Sequence, residues 1–424
     1  MAIIKPFCAV RYTMPIDTVV APPYDVISPE DRQKLGQSNA YNIVHLTLPE
    51  GKSDDRSQYV KYAQAAARLT EWRREQQLVP DQKPGYYLYR QTFTDPVTGQ
   101  KHKRSAIIGL LRSEPYETGT VMPHEQTFPG HKEDRLRLLE ATRTHLECIY
   151  GMYDDANGKI KQTLENATFE PLCSTETPDG IYHELYVCDD EQTNVEIEGL
   201  FADKRILIAD GHHRYETILN FRKQYVQATG TVPEDFLPVA FTALQDPGLI
   251  VLPTHRMVKS MPPEVMANFP AKLEEYFQVD EVKVEELPEM VRKAASNGAR
   301  VVGIVLPNKG YLCTLRDIDI MDKVVEEEHS MVWKRLDVTV LHTLMMEKLL
   351  GLPKGVEAYT RDDNEVLDKV GSGEFAAGFM INAPTVDETR EIASSGEKMP
   401  QKSTFFYPKL LSGLVMWSFG DGIG

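Results

Sequence analysis

The sequence lacks the cysteine patterns that indicate a disulfide framework or a zinc site. Its five cysteines are odd in number, widely scattered and never arranged as C-x-x-C. Long apolar runs are also missing, because no stretch approaches the roughly eighteen consecutive apolar residues of a membrane helix. The first residues, MAIIKPFCAVRY, carry no basic region followed by an apolar run. We therefore expect a cytosolic protein that does not bind membranes.

The chain has fewer basic than acidic residues. The chain has 47 Lys and Arg residues against 63 Asp and Glu residues, which gives a formal net charge of -16. A protein that holds a nucleic-acid backbone needs a basic stripe, and the field of this chain repels polyanions at long range. We expect no nucleic-acid partner. Hydrophobic residues at 42% and charged residues at 26% lie in the ordinary globular range, so the chain can bury a core.

Several catalytic motifs are absent from the chain. It contains no G-x-x-x-x-G-K-[ST], no G-x-G-x-x-G after a strand, no H-R-D with D-F-G, no G-x-S-x-G and no H-E-x-x-H. The sequence therefore gives no support for five classes of protein: P-loop proteins, Rossmann dehydrogenases, ordinary kinases, α/β hydrolases and zincins.

The hydrophobic pattern predicts a mixed α/β fold of the α+β type, without repeats or low-complexity segments. We place an N-terminal α/β region at residues 1–245 and a C-terminal α/β domain at residues 246–424, with the seam near D-P-G-L-I-V-L-P. The predicted helices are Gln58–Gln77, Thr127–Glu147, Tyr215–Val226, Pro263–Tyr276 and Val338–Leu350. The predicted strands are Tyr41–Leu48, Tyr86–Phe93, Ser105–Leu111, Tyr182–Val187, Arg205–Ala209, Arg300–Leu306, Tyr311–Thr314 and Glu374–Ile381.

The strongest chemical signal is the segment KRILIADGHHRY, in which an apolar strand runs into Asp210-Gly211-His212-His213-Arg214 and then into a helix. Glycine permits a sharp turn, and the free N–H groups of the first helical turn favour an anion. His213 and Arg214 add donors, while Asp210 suits Mg²⁺ or proton transfer. In the alternative interpretation Asp210 only caps the helix, and His212 and His213 are half-buried polar residues.

A second candidate is Pro123-His124-Glu125-Gln126, followed by a charged segment with Lys132 and Arg135. Pro123 stiffens the approach, so Glu125 is held at a loop rim, where a carboxylate can accept a hydroxyl proton. The alternative is a solvated charged helix capped by Thr127.

A third candidate is the segment Pro400-Gln401-Lys402-Ser403-Thr404, which precedes Pro408 and Lys409. An ammonium and two hydroxyls side by side suit phosphate oxygens. K-S-T is also common surface sequence, so this signal is weak on its own.

These motifs together resemble the free serine kinases of archaea. The likeness rests on Pro123–Gln126, Ala209–Arg214, Ala383–Thr385, Gly396–Glu397 and Pro400–Thr404, which occur here in the same order. The resemblance implies a ParB/sulfiredoxin-like core, to which this chain adds a large N-terminal extension and an α/β C-terminal domain. The D-G-H-H-R turn is similar to the phosphate-handling loop of that superfamily.

The chain also resembles, over almost its whole length, a bacterial family labelled as a domain of unknown function. Tyr24-Asp25 after two prolines, the H-E-Q-T and K-E-D-R-L stretches and the closing Phe405–Gly413 carry this second likeness.

The resemblance to the kinases implies a role for each matching residue. Glu125 would deprotonate the serine hydroxyl and Asp210 would act beside it, as a catalytic residue and Mg²⁺ ligand. The phosphate-binding group would be Gly211, His212, His213, Arg214, Lys402, Ser403 and Thr404, with His124, Lys132 and Arg135 as further substrate or donor contacts. Ser403 replaces a threonine of the kinases and keeps the hydroxyl. The N-terminal part and the spacer between Glu125 and Asp210 are longer in this chain than in the kinases.

The leading hypothesis is therefore a small-molecule kinase that makes O-phospho-L-serine from free serine, with Mg²⁺ and with ATP, ADP or inorganic pyrophosphate as donor. A second hypothesis is a ParB-like nucleotide-binding switch without kinase activity, although no clear helix-turn-helix is visible. A third, a sulfiredoxin-like reductase, needs a cysteine in the phosphate loop, where this chain has histidines.

Overall fold

Four of the five strands predicted in the N-terminal half lie in one large sheet. The computed structural model describes residues 2–51, 59–125, 127, 129–226, 230–325 and 328–424. Within these residues the sheet has nine strands, and Ile4–Lys5 pairs with its member Lys101–Arg112. The other strands follow the spatial order Val121–Met122, Ile206–Asp210, Ile149–Tyr153, Phe236–Ala243, Lys101–Arg112, Tyr86–Thr94, Tyr182–Cys188 and Glu170–Glu176.

Helices accompany this sheet in what we call unit 1, which comprises Met1–Pro123, Thr127–Ile250 and Pro408–Gly424. The helix Val60–Arg74 buries Tyr62, Ala65, Leu69 and Trp72, the apolar face that the periodicity predicts. The helix His212–Tyr225 begins earlier than predicted, directly after Gly211. The helices of unit 1 are Pro29–Ser38, Val44–Thr47, Val60–Arg74, Pro129–Thr142, Lys159–Asn166, Glu191–Phe201 and His212–Tyr225.

The predicted strand Tyr41–Leu48 is wrong, because Val44–Thr47 forms a helical turn. The side chain of Asn42 accepts the N–H of Val44 at 2.9 Å and starts this turn. Ile43, Val44, Leu46 and Thr47 are all buried. A short apolar run that is buried on every side does not reveal its period, so the pattern did not distinguish helix from strand.

The C-terminal tail belongs to unit 1, although the sequence predicted a C-terminal domain that reaches the end of the chain. Trp417–Ser418 pairs with Thr144–His145, and Val10 donates its N–H to the carbonyl of Met416 at 2.8 Å. Val10–Tyr12 in turn pairs with Leu78–Pro80. Backbone pairing between distant segments leaves no local signal in the tail itself, so the sequence did not reveal this return.

Unit 2 comprises His124–Gln126 and Val251–Tyr407. Its described part contains a six-stranded sheet in the order Phe277–Val282, Lys309–Leu315, Val301–Leu306, Ala377–Met380, His255–Val258 and Glu357–Thr360. Two hydrophobic clusters pack in this unit, one of them with Leu287, Val291, Val366 and Val370 from two helices. The short strands Ile250–Val251 and Phe406–Tyr407 lie at the two ends of the long C-terminal segment of this unit.

The helices of unit 2 depart from prediction at two places. The predicted helix Pro263–Tyr276 ends at Ala267, since proline at position 270 disfavours helix in the residue before it. Val340–Leu349 forms a π-helix instead of an α-helix. The helices are Pro263–Ala267, Leu287–Ser296, Met321–Val324, Met331–Lys334, Asp337–Thr339, Val340–Leu349, Asp363–Gly371 and Val386–Ser394. In the described part of both units, no helix has the length and apolar character required to cross a bilayer.

Candidate functional site

The turn after the strand Ile206–Asp210 is shaped by one glycine. Gly211 has φ 93° and stands at the N-terminus of the helix His212–Tyr225, without a side-chain cap. A Cβ atom at this position would lie 2.7 Å from Cγ2 of Ile149, so a larger residue does not fit. Asp210 is therefore the last residue of the strand and not the helix cap of the alternative interpretation.

The carboxylate of Asp210 is held by two cations of unit 1. Its Oδ2 lies 3.3 Å from Nζ of Lys409 and 3.8 Å from Nη2 of Arg214. Burial acts to raise the pKa of Asp210, but Lys409, Arg214 and the N–H of Gly211 bring that pKa below its ordinary value. Asp210 is thus an ionised, largely buried carboxylate at the start of a helix.

Lys409 is a functional candidate to which the sequence assigned no role, although it follows the K-S-T segment closely. Its carbonyl accepts from the side chain of Gln91 at 2.9 Å, and the carbonyl of Pro408 accepts from the buried Arg104. These contacts fix the backbone that presents the ammonium to Asp210. The signal in the sequence is only a lysine after a proline, which is too common to indicate a site.

Arg214 is turned into the protein. Its Nη1 donates to the carbonyl of Cys148 at 2.6 Å and lies 4.0 Å from Oε2 of Glu147. Burial acts to lower the pKa of Arg214, but Glu147, Asp210 and Asp25 raise it above its ordinary value. Among the residues that the structure describes, Nε of Arg214 has no hydrogen-bond partner. Arg214 serves the cluster as a counter-ion, and its predicted contact with a donor phosphate stays a prediction.

The two histidines of the turn precede Arg214. His212 is buried and His213 is partly buried, and both lie in the first turn of the helix. Both imidazoles thus lie in the first turn of the helix, and their predicted contact with a donor phosphate stays a prediction.

Glu147 is a site residue that the sequence did not single out. Its buried Oε1 accepts the N–H of Tyr24 at 3.2 Å and lies 2.5 Å from the hydroxyl of Ser412. Because its other oxygen faces Arg214, one carboxylate joins three segments that are distant in sequence. The predicted helix ran through Glu147, whereas the helix ends at Thr142, so the local pattern concealed this role.

Asp25 belongs to the same cluster. Its carboxyl group lies within electrostatic reach of Asp210, Lys409, Arg214 and Glu147. The side chain keeps contact with solvent, yet the protein atoms around it desolvate the carboxyl group. This desolvation, together with the negative charge of Asp210, raises the pKa of Asp25. In the sequence, Tyr24-Asp25 stands out only as part of a family likeness.

The charged helix Pro129–Thr142 directs its basic residues onto the protein. Lys132 lies 2.7 Å from Oε2 of Glu216, which also accepts the hydroxyl of Thr127 at 2.7 Å. The guanidinium of Arg135 lies 4.1 Å from the ring centroid of Tyr24. It also donates to the carbonyl of Thr47 at 2.8 Å and to Asp134. Both side chains have protein partners, and their predicted contacts with substrate or donor stay predictions.

Two sequence motifs meet in unit 2. Nε2 of the buried His124 lies 2.8 Å from the hydroxyl of Thr404, and the carbonyl of His124 accepts the N–H of Met399 at 2.8 Å. The residue after His124 is Glu125, so the loop that carries the predicted base is anchored to the P-x-K-S-T segment. Gln126 lies outside the described residues.

Arg256 holds the backbone of the K-S-T segment in place through hydrogen bonds. This fully buried guanidinium donates to the carbonyl of Lys402 at 3.1 Å and to Nε2 of His342 at 3.0 Å. Lys402 has φ 55° and an exposed side chain. The hydroxyl of buried Ser403 lies 2.5 Å from the carbonyl of Pro400. Lys402 is therefore the member of the triplet that is presented to solvent.

The carboxylates of the Asp210 cluster do not form a complete metal centre. In the described part of the chain, no group of three or more His, Cys, Asp or Glu side chains is arranged to hold a metal ion. A resident metal site thus does not fit these residues. Mg²⁺ that arrives on the phosphates of a donor needs only one or two protein carboxylates, and Asp210 fits that smaller requirement.

The protein has a mixed α/β fold. At the site around Asp210, a strand, a glycine turn and the start of a helix bring acidic and basic side chains together. A family profile described as "Protein of unknown function (DUF1015)" matches residues 4–339. The chain belongs to this family.

Some solved structures are similar to the chain at low sequence identity. A free serine kinase in complex with AMP is 15% identical, with 68% of this chain and 83% of that chain covered and a TM-score of 0.34. A conserved hypothetical protein from Pyrococcus furiosus is 17% identical, with coverages of 68% and 87% and a TM-score of 0.31. SbnI with C-terminal truncation from Staphylococcus aureus is 11% identical, with coverages of 72% and 86% and a TM-score of 0.35. No curated protein matches the chain significantly.

Proposed function

We propose that this protein is a small-molecule kinase that phosphorylates the hydroxyl of free L-serine to give O-phospho-L-serine, with ATP, ADP or inorganic pyrophosphate as donor. The observation that carries the proposal is the turn at Asp210. An ionised carboxylate there stands at a helix start, flanked by Lys409 at 3.3 Å and Arg214 at 3.8 Å. The motif order shared with free serine kinases adds serine as the acceptor.

Phosphoryl transfer requires charge neutralisation and in-line positioning more than covalent chemistry. The N–H groups of a first helical turn have no partner within their helix, and they favour an anion. In our proposal these groups, with Gly211, His212 and His213, receive the donor's phosphates, and Arg214 adds positive charge behind them. Lys402 is exposed on an anchored backbone, which suits contact with a phosphate oxygen, with Ser403 and Thr404 in supporting roles.

We assign the role of base to Glu125. The serine hydroxyl oxygen attacks the terminal phosphorus of the donor, its proton passes to Glu125, and the bond from phosphorus to the leaving oxygen breaks. Proton transfer requires the carboxylate to lie about 2.6 to 3.2 Å from the hydroxyl. The anchoring of His124 to Thr404 and Met399 supports a defined position for the adjacent Glu125.

Mg²⁺ enters the proposal as a companion of the donor. It would neutralise negative charge on the transferred phosphoryl group, and Asp210 is the residue of this chain that would hold it. Asp210 also orients Lys409, whose ammonium lies 3.3 Å from its Oδ2. The chain's own cations thus add to the neutralisation that the metal supplies.

The test is to incubate the purified protein with Mg²⁺, L-serine and each donor in turn, and to quantify phosphoserine by mass spectrometry. We expect phosphoserine with at least one donor and none after removal of divalent cations. Absence of product with all three donors would refute the kinase. Binding of a nucleotide without any product would instead favour a nucleotide-binding switch.

A further inference from the structure

The proposed function leaves one cavity of unit 1 without a role. This cavity has a volume of about 50 Å³, and its wall includes side chains of two helices, Pro129–Thr142 and His212–Tyr225. Such a volume admits about four water molecules. Apolar side chains such as Leu138 and Leu237 form part of the wall, and charged side chains form another part. The cavity therefore suits the charged head group of a small molecule, and it is too small for a nucleotide.

Two charged residues on this wall, Arg214 and Glu147, have unused hydrogen-bonding capacity. Nη1 of Arg214 lies 4.0 Å from Oε2 of Glu147, which is longer than a hydrogen bond. Among the described residues, the guanidinium of Arg214 makes its only hydrogen bond with the carbonyl of Cys148. In the same part of the chain, Glu147 accepts hydrogen bonds from Tyr24 and Ser412 through Oε1 alone. N–H groups of Arg214 and Oε2 of Glu147 are thus available to a ligand.

The described residues do not satisfy all the polar groups around this cavity. Nε of Arg214 and Nε2 of His145, which also belongs to the wall, are buried and have no hydrogen-bond partner within the described ranges. The side chain of Glu147 is only 5% exposed. Buried polar groups are nearly always hydrogen-bonded, because an unpaired one costs free energy. A polar ligand beside these groups would supply the missing partners.

The charge of the ligand follows from the charges on the wall. A third charged wall residue, Arg135, donates to Asp134 and to the carbonyl of Thr47, so it is already paired. Glu147 and Arg214 then carry one charge of each sign. A singly charged ligand would be repelled by one of them, whereas a zwitterion can place its anionic group at the guanidinium and its cationic group at the carboxylate. An α-amino acid carries both groups on one carbon atom, which suits two wall residues 4.0 Å apart.

We infer that this cavity receives the α-ammonium and α-carboxylate groups of the amino-acid substrate, an inference that rests on the proposed function and extends it to substrate recognition. The carboxylate would bind Arg214, and the ammonium would bind Glu147. Nη2 of Arg214 also lies 3.8 Å from Asp210, so the substrate would be held beside the turn that receives the donor's phosphates in our proposal. A seryl residue within a peptide lacks both charged groups, so this site would select free amino acids.

Binding of L-serine and of two blocked derivatives tests this inference. The derivatives are N-acetyl-L-serine, which lacks the ammonium charge, and L-serinamide, which lacks the carboxylate charge. Affinities are measured by isothermal titration calorimetry with the full-length protein and without a phosphoryl donor. We expect L-serine to bind at least about tenfold more tightly than either derivative, because each derivative loses one charge-assisted hydrogen bond.

Glu147→Gln tests the cavity itself. The variant loses the charge of the carboxylate and keeps an acceptor for the N–H of Tyr24. It should weaken L-serine binding about ten- to hundredfold and remove most of the preference over N-acetyl-L-serine. Glu133→Gln is the matched control, since that side chain is 63% exposed and lies 3.8 Å from Arg137. A thermal melt verifies that both variants are folded.

Three outcomes would overturn the inference: equal binding of L-serine and either derivative by the wild-type protein, no binding of L-serine, or unchanged affinity in Glu147→Gln. The comparison on the wild-type protein needs no variant, so it decides even if Glu147→Gln does not fold. Phosphoserine formation is measured separately. Selective binding of L-serine through Glu147 without phosphoserine from any donor would refute the kinase and leave the head-group site in place. Phosphoserine formation with an unchanged KM for L-serine in Glu147→Gln would keep the kinase and overturn the inference.

Discussion

Lys409 and Asp210 form an ion pair of 3.3 Å between the C-terminal tail and the end of the strand Ile206–Asp210, which lies next to an edge strand of the sheet. The tail belongs to unit 1, where it pairs with Thr144–His145 and with residues near the N-terminus such as Val10. The pair therefore depends on the return of the tail to this unit. The ammonium contributes to an ionised Asp210, which the proposed phosphoryl transfer requires.

Loss of either proposed catalytic carboxylate should abolish turnover and leave the protein folded. We expect Glu125→Gln and Asp210→Asn each to lower kcat by about a hundredfold or more, because each amide keeps the shape but loses the charge. The measurement is phosphoserine formation, with a thermal melt for folding. Asp189→Asn is a control, since that exposed side chain lies 3.7 Å from Lys83. Retained activity in either variant would remove that residue from its role.

Gly211→Ala should destabilise the protein by roughly 2 kcal/mol, because alanine is strained at a positive φ and its Cβ would meet Ile149. The measurement is the free energy of unfolding in urea. Gly199→Ala is the matched control. That glycine lies in the helix Glu191–Phe201, and a Cβ there would meet no atom within 4 Å. The control should be neutral or up to about 1 kcal/mol more stable. Equal effects of the two substitutions would contradict the steric argument.

Glu147→Ala should be among the most destabilising single changes in unit 1. It leaves the N–H of Tyr24 without its acceptor and removes one of the carboxylates that compensate the charge of Arg214, and it enlarges a cavity of about 50 Å³ that Glu147 lines. We expect a loss of roughly 3 kcal/mol in the free energy of unfolding. Glu147→Gln should cost less, because its amide oxygen still accepts from Tyr24.

The control for Glu147 is Glu133→Ala. The side chain of Glu133 is 63% exposed and lies 3.8 Å from Arg137, so its removal should change stability by less than about 0.5 kcal/mol. A similar loss in Glu133→Ala and Glu147→Ala would show that Glu147 does not hold the cluster together.

His342 should make stability depend on pH in the acid range. Burial, together with Arg256, lowers the pKa of His342 to about 4 from an ordinary value of 6.5. The unfolded chain therefore takes up a proton before the folded one, and the folded state loses stability as the pH falls from 6.5 to about 4. The contribution at neutral pH is roughly 3 kcal/mol.

The measurement for His342 is the free energy of unfolding at several pH values, in the wild type and in His342→Gln. The variant keeps an acceptor for Nε of Arg256 but does not titrate, so its stability should fall less steeply across this window. The same slope in both proteins would show that protonation of His342 is not coupled to folding.

Part of the candidate site was visible in the sequence. The run of consecutive apolar residues before Asp210 predicts the strand, and glycine followed by polar residues predicts the turn and the start of a helix. The structure contains these elements as Ile206–Asp210 and His212–Tyr225. Local preferences are sufficient here because each element is specified by neighbouring residues.

Other partners of Asp210 could not be predicted. Glu147 is concealed in a segment that continues a helical pattern, Asp25 follows a pair of prolines, and Lys409 follows another proline. Nothing in their surroundings in the chain indicates that they meet. Their proximity arises from long-range sheet pairing, such as that of Ile206–Asp210 with Ile149–Tyr153 and of the tail with Thr144–His145.

The amino-acid sequence by itself determines the acidic character of the chain and supplies the residues that could carry chemistry. It also determines the strand and turn at Asp210, because local periodicity is a property of neighbouring residues. The ionisation of Asp210, the inward direction of Arg214 and the roles of Glu147 and Lys409 follow only from the fold. A charged group takes its properties from whichever charges and donors the packing brings within a few ångströms, and that choice is made by contacts between distant segments.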